Sequence, residues 1–188
     1  PIDFTLYQVY DNDSGMSAFG ALAASAPMVQ GKVEGLKLAL VSPNTETVDG
    51  FGAKGTDYDT TYPKVEASYT WAMDTCSLKL FGGWNSYDIV NGADEEFDVT
   101  SYLYGVTGIC NQGPVTFTAM IWEGQNVGLY GLGENPAADC SPDYTAAGEV
   151  RDNDGYGFVT SIGFAVNDCV GVEAGYGYVK FEDDVEGS

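Results

Sequence analysis

Residues 154–181 read DGYGFVTSIGFAVNDCVGVEAGYGYVKF, and their alternation restricts this part of the chain to antiparallel β structure. Phe158, Thr160, Ile162, Phe164 and Val166 fall on one face of an extended strand; Val159, Ser161, Gly163 and Ala165 fall on the other. After Asn167 and Asp168 the pattern resumes. Val170, Val172, Ala174, Tyr176 and Tyr178 then oppose Gly171, Glu173, Gly175 and Gly177. A period of two on both sides of a short break specifies a β-hairpin. One face is large and apolar, the other small, glycine-rich and partly charged. A soluble sandwich would bury the first and place larger polar side chains on the second. A transmembrane barrel would turn the first to lipid and the second to its lumen.

Two further hairpins follow the same logic. In residues 64–73, Val65, Ala67, Tyr69 and Trp71 alternate against Lys64, Glu66, Ser68 and Thr70. A turn at Asp74, Thr75 and Cys76 leads to Leu78, Leu80, Gly82 and Trp84, which alternate against Lys79, Phe81 and Gly83. The third hairpin pairs residues 99–109 with 115–122 through a turn at 110–114. Upstream, residues 2–10 are β-like, and 32–41 read as one strand with Leu36, Leu38 and Leu40 outward. Residues 17–26 fit either a short helix capped by Ser17 or a strand among tightly packed neighbours. Residues 42–62, 88–98 and 125–153 read as long loops, the last with a strand extension at 127–130. Short turns and long acidic loops therefore alternate, which puts the tight turns at one end of a meander and the loops at the other.

Composition narrows the class further. The 188 residues suffice for one domain with a real core. The formal charge of −21, with seven basic residues, argues against nucleic acid as a partner. The absence of histidine removes Ser-His-Asp, Cys-His and zinc-histidine chemistry, and no glycine-rich phosphate loop opens a helix, so an enzyme is not expected. The chain opens PIDFTLYQVY, without methionine or an apolar leader, and is read as processed or as part of a longer protein. No run of 18 apolar residues marks a membrane helix, a test that does not bear on barrel strands.

With these features in view, the stretches PKVEASYTWAMDTCSLKLFGGW, VTFTAMIWEG and GFVTSIGFAVNDCVGVEAGYGYVKFE resemble a bacterial outer-membrane porin, over about two thirds of the chain from Pro63 onward. The resemblance rests on diffuse patterns rather than residue-exact motifs. It implies an all-β fold, an antiparallel transmembrane β-barrel meander with short periplasmic turns and long acidic extracellular loops. Residues 1–188 would be a single barrel domain or part of one. It implies a passive outer-membrane channel for small hydrophilic solutes, in contact with outer-membrane lipid and often a homotrimer. The sequence departs from the family in showing eight or nine strands rather than 16, and in lacking a terminal aromatic residue. Glycine-lined inner faces fit a hollow lumen, which favours a piece of a larger barrel. In this reading Glu34, Glu66, Lys79 and Glu173 line the pore, Glu66 and Lys79 facing each other across it, and the carboxylates give a cation preference. The alternative is a secreted or surface β-sandwich acting as an adhesion or glycan-binding module.

Four cysteines outside the cytoplasm suggest disulfides, with three connectivities open. Cys76 with Cys110 is the expected pair, because both sit at the short-turn end of neighbouring hairpins. That leaves Cys140 and Cys169, which the topology places at opposite ends. Asp152, Asn153 and Asp154, followed by Gly155, look like half of a calcium loop, and residues 11–15 are similar. Neither has the full spacing of an EF-hand, and plain turn chemistry accounts for the same residues. No resident cofactor is expected beyond loop-bound calcium.

Overall fold

The computed structural model describes residues 28–42, 57–60, 62–90, 95–130, 142–144, 150–167 and 169–183. The expectations for residues 2–10 and 17–26 and for Cys140 lie outside these. The described residues form strands β1 (Met28–Val33), β2 (Leu36–Val41), β3 (Asp57–Asp59), β4 (Lys64–Ala72), β5 (Cys76–Val90), β6 (Glu96–Gln112), β7 (Val115–Gln125), β8 (Asp143–Tyr144), β9 (Val150–Arg151), β10 (Asn153–Asn167) and β11 (Val170–Asp183). The fold is all-β. An antiparallel meander runs β1-β2-β4-β5-β6-β7-β10-β11, with β3 paired to the far end of β5 and β8 paired to β9. The edges are β1 and β11, so the sheet is open among the described residues.

Register carries the alternation from strand to strand. Leu36, Tyr69, Leu80, Val106, Ile121, Phe158 and Tyr178 are successive cross-strand partners on the outer face. Three positions further along the strands, Ala39, Glu66, Gly83, Leu103, Gly124, Gly155 and Phe181 are partners on the inner face. A slip of one residue in any strand would exchange the two faces, so the size contrast fixes the register. The inner face is covered: Phe81, Leu103, Met120, Trp122 and Val159 are all buried there. Burying each such side chain contributes about 1.5–3 kcal/mol. The outer face is bare, and Leu80, Ile121 and Ile162 are each more than half exposed.

Several boundaries differ from the sequence reading. The strand expected over 32–41 is a hairpin. Glu34 (φ 43°) and Gly35 (φ 88°) both take left-handed conformations, the geometry of a two-residue turn. A Cβ at Gly35 would lie 2.5 Å from the Thr70 carbonyl oxygen, and that close approach hides behind uninterrupted alternation in the sequence. The acidic loop expected over 88–98 is mostly strand, since β5 runs to Val90 and β6 starts at Glu96. Asp88 and Asp98 are direct partners there. Residues Val127–Tyr130 form a 3-10 turn rather than a strand extension. Among the described strands, the hairpin turns β1–β2, β4–β5, β6–β7 and β10–β11 lie at one end of the sheet, and the connections β2–β4, β5–β6 and β7–β10 at the other.

The inner-face glycines overturn the expectation of a hollow lining at this level. A Cβ at Gly83 would fall 2.5 Å from the Tyr130 ring, at Gly105 2.5 Å from Phe81, at Gly155 2.6 Å from Phe181 and at Gly157 2.8 Å from Trp122. Each missing side chain is a seat for a neighbour's ring. Nearer the short turns the situation reverses. A Cβ at Gly163 meets nothing closer than 3.9 Å, and one at Gly171 nothing closer than 3.7 Å. Inner-face glycine thus serves packing towards the long-loop end and leaves space towards the short turns.

Candidate functional site: the inner face of the sheet

The covered face holds two polar groups of different character. The first lies on β4, where Lys64 and Glu66 point to the same side because strand side chains repeat every second residue. Lys64 Nζ and a Glu66 carboxylate oxygen are 2.8 Å apart, with both side chains almost wholly buried. Lys64 Nζ also stands 4.6 Å from the centroid of the Tyr130 ring. Tyr130 reaches it because the chain after β7 folds back over the inner face, burying Val127 and Tyr130 completely.

Asn126 fixes that reversal. Its positive φ of 50° is one that asparagine tolerates better than most residues. Its amide nitrogen donates to the Thr100 carbonyl at 2.9 Å and to the Asp152 carboxylate at 2.7 Å. Its side-chain oxygen accepts from the Asn153 backbone N–H at 3.0 Å. Its own N–H donates to the Asn153 carbonyl, and its carbonyl accepts from the Ser101 hydroxyl at 2.7 Å. One side chain therefore ties the ends of β6 and β7 to the start of β10. Burial, with the Glu66 carboxylate adding to it, pushes the Tyr130 phenol well above its usual range.

The second group lies towards the short turns: Lys79, Thr107, Thr118 and Ser161 are buried on the inner face, and Glu173 is exposed beside them. The Ser161 hydroxyl donates to Glu173 at 3.1 Å. An open depression of about 730 Å³ borders Glu173, Thr116, Gly163 and Gly171. The side-chain oxygens of Ser68 and Thr107 and both polar atoms of Asn85 are buried without a hydrogen-bond partner among the described residues. Buried polar groups of this kind call for ordered water or for partners outside the described residues.

The expected pore residues separate accordingly. Glu66 and Lys79 share the inner face but do not face each other. Glu66 is in register with Gly83 and Lys79 with Thr70, which places them about 13 Å apart along the sheet. Glu66 is taken by Lys64 instead. Glu173 is on the inner face, whereas Glu34 is exposed in the β1–β2 turn. Of the expected calcium ligands, Asp152 is held by Asn126, Asn153 is buried on the inner face and Asp154 is exposed on the outer face. Strand alternation sends the last two apart, so the three do not converge. Among the described residues no group of three or more His, Cys, Asp or Glu side chains could hold a metal ion.

Cys76 and Cys110 form the expected disulfide, as direct partners on β5 and β6 with Cα atoms 4.1 Å apart. Cys169 is exposed at the β10–β11 turn and has no disulfide partner among the described residues. Asn126 and Tyr130 were not singled out by sequence, and Lys64 was placed on the face of Glu66, opposing the carboxylates there, but not as its direct partner. The signal available was slight: a lysine two residues before Glu66 and an asparagine following Gly124 and Gln125. Comparison with protein-family models, with curated proteins and with solved structures returns no match.

Proposed function

We propose that this chain forms the wall of a passive β-barrel channel in a bacterial outer membrane, serving small hydrophilic solutes and cations, without catalysis. The observation that carries the reading is the outer-face row from Leu36 through Leu80 and Ile121 to Tyr178, apolar across seven strands and exposed at every position except the half-buried Val106. A contiguous apolar surface of this extent is rare on a protein surrounded by water. On β10 the outward apolar residues run from Tyr156 to Val166, and a tilted membrane strand needs about 9–11 residues. Short turns at one end and long connections at the other fit the same assignment. A soluble β-sandwich would turn its large apolar face inward, and here that face is the bare one. The open sheet calls for further strands along β1 and β11, because unpaired edges are not tolerated in lipid.

Reconstitution into lipid vesicles followed by flotation tests the membrane assignment, and planar-bilayer recording tests the channel. The expected result is co-flotation with the vesicles and stepwise conductance. A chain that stays monodisperse without detergent and does not float would end the proposal.

A further inference from the structure

The hairpin turns are stepped along the sheet. The last pair of the β1–β2 hairpin, Val33 with Leu36, is level with Tyr69, whereas the β4–β5 hairpin closes three residues further on, at Ala72 and Ser77. Ser77 is level with Ile109, and the β6–β7 hairpin closes three residues beyond that, at Gln112 and Val115. Val115 is level with Phe164, and the β10–β11 hairpin closes three residues further again, at Asn167 and Val170. Each hairpin is thus displaced by about 10 Å along the strands for about 10 Å across them. With the turns levelled at one membrane surface, the strands tilt by about 45° from the axis, at the steep end of the roughly 35–45° found in barrel walls.

This wall ends in two matching edges. The inner face is buried across the middle of the sheet, but β1 is exposed on both faces from Val29 to Val33 and β11 from Val170 to Tyr176. The eight strands from β1 to β11 alternate in direction, so the two edge strands are antiparallel to each other. Their outward side chains are apolar, Val29 and Val33 on β1 and Val170 and Val172 on β11. Their inward side chains are polar and of opposite charge, Lys32 on β1 and Glu173 on β11. An eight-stranded barrel is filled by its own side chains, whereas 16 strands enclose water. We propose that two copies of this chain join edge to edge, β1 of each against β11 of the other, to make one barrel with twice the eight strands of the meander. The inference rests on the channel reading above, which needs a hydrated lumen. A two-fold axis along the barrel closes both seams at once and leaves no strand edge in lipid.

Continuing the step across a seam, in the even increments that keep inner face with inner face, sets Val29 of one copy opposite Val170 or Val172 of the other. The test places Val29→Cys and Val172→Cys on separate full-length chains, each also carrying Cys140→Ser and Cys169→Ser. The two chains are refolded together into vesicles, floated, and treated with a bis-maleimide whose reach covers a slip of two residues, about 7 Å. A cross-linked dimer is expected from the mixture and not from either chain alone. A single chain carrying both cysteines should cross-link to a dimer and no further. A cross-link within one chain means that β1 and β11 close on each other, a ladder beyond the dimer means a larger ring, and floated protein without cross-links means that other strands cover the edges. Each of these overturns the two-copy barrel and leaves the membrane assignment standing. A wild-type chain that does not float removes both.

Discussion

At the scale of single residues, the inner-face glycines divide by what stands over them. Gly83 lies under Tyr130, which in turn lies beneath the ammonium of Lys64. Gly83→Val should push the ring from its seat and destabilise the protein by about 1–3 kcal/mol, measured as a shift in the denaturation midpoint. Gly163→Ala, where a Cβ meets only ordinary contacts, should leave that midpoint nearly unchanged. Equal effects at the two sites would contradict the seat assignment. The same Tyr130 predicts a pH dependence. Its folded phenol is raised above the ordinary value of about 10, so the unfolded chain loses this proton first as pH rises. The unfolded state then binds fewer protons than the folded one, and stability falls with pH from about 10 upwards. Tyr130→Phe should flatten this part of the stability profile; an unchanged slope would mean another group is responsible.

At the scale of elements, the outer and inner faces of β10 and β11 call for opposite responses to one substitution. Phe164 and Val172 are direct partners on the bare face, and Gly163 lies on the inner face beside open space. Arginine at Phe164 or Val172 should cost about 2–4 kcal/mol or block insertion if the site sits near mid-bilayer, because a charge is placed against hydrocarbon. Arginine at Gly163 should be milder and still insert, which refolding into vesicles followed by denaturant titration would measure. Equal damage at the two faces would argue against a lipid-facing outer surface. The faces were legible in the sequence because each strand repeats a large-small contrast with a period of two, and the Cys76–Cys110 pairing followed from the hairpins. The strand ends were not legible. Asp88, Glu96 and Asp98 read as loop by polarity, yet they pair within β5 and β6 at the end carrying the long connections, where polar groups remain strand-compatible. The β1–β2 turn stayed hidden because Glu34 and Gly35 do not interrupt the alternation on either side.

At the scale of the whole molecule, the distribution of charge decides what a channel of this kind would admit. The formal charge of −21 is large, but the inner face does not carry it. Lys64 neutralises Glu66 at 2.8 Å, and Lys32, Lys37 and Lys79 stand on the same face as Glu173, so the described inner wall carries no marked excess of acid. Sequence alone placed a set of carboxylates in the lumen, because it could not show that Glu66 has its own partner on the same strand or that Glu34 lies in a turn. The excess of acid sits at the long-connection end instead, where Asp88, Glu96, Asp98, Asp152, Asp154 and Glu182 lie at the strand ends. Cation preference should therefore come from the mouth rather than from a charged constriction. Mouth charges act through water, so their reach follows the Debye length, about 10 Å at 0.1 M salt and about 3 Å at 1 M. Under a salt gradient in a planar bilayer, the reversal potential should indicate cation preference at 0.1 M and move most of the way to zero at 1 M. Neutralising Glu96 and Asp98 together should reduce the low-salt value, while Glu173→Gln should leave it nearly unchanged. A preference that persists undiminished at 1 M would place the selecting charges inside the lumen, and an anion preference at 0.1 M would refute the mouth as the source of selectivity.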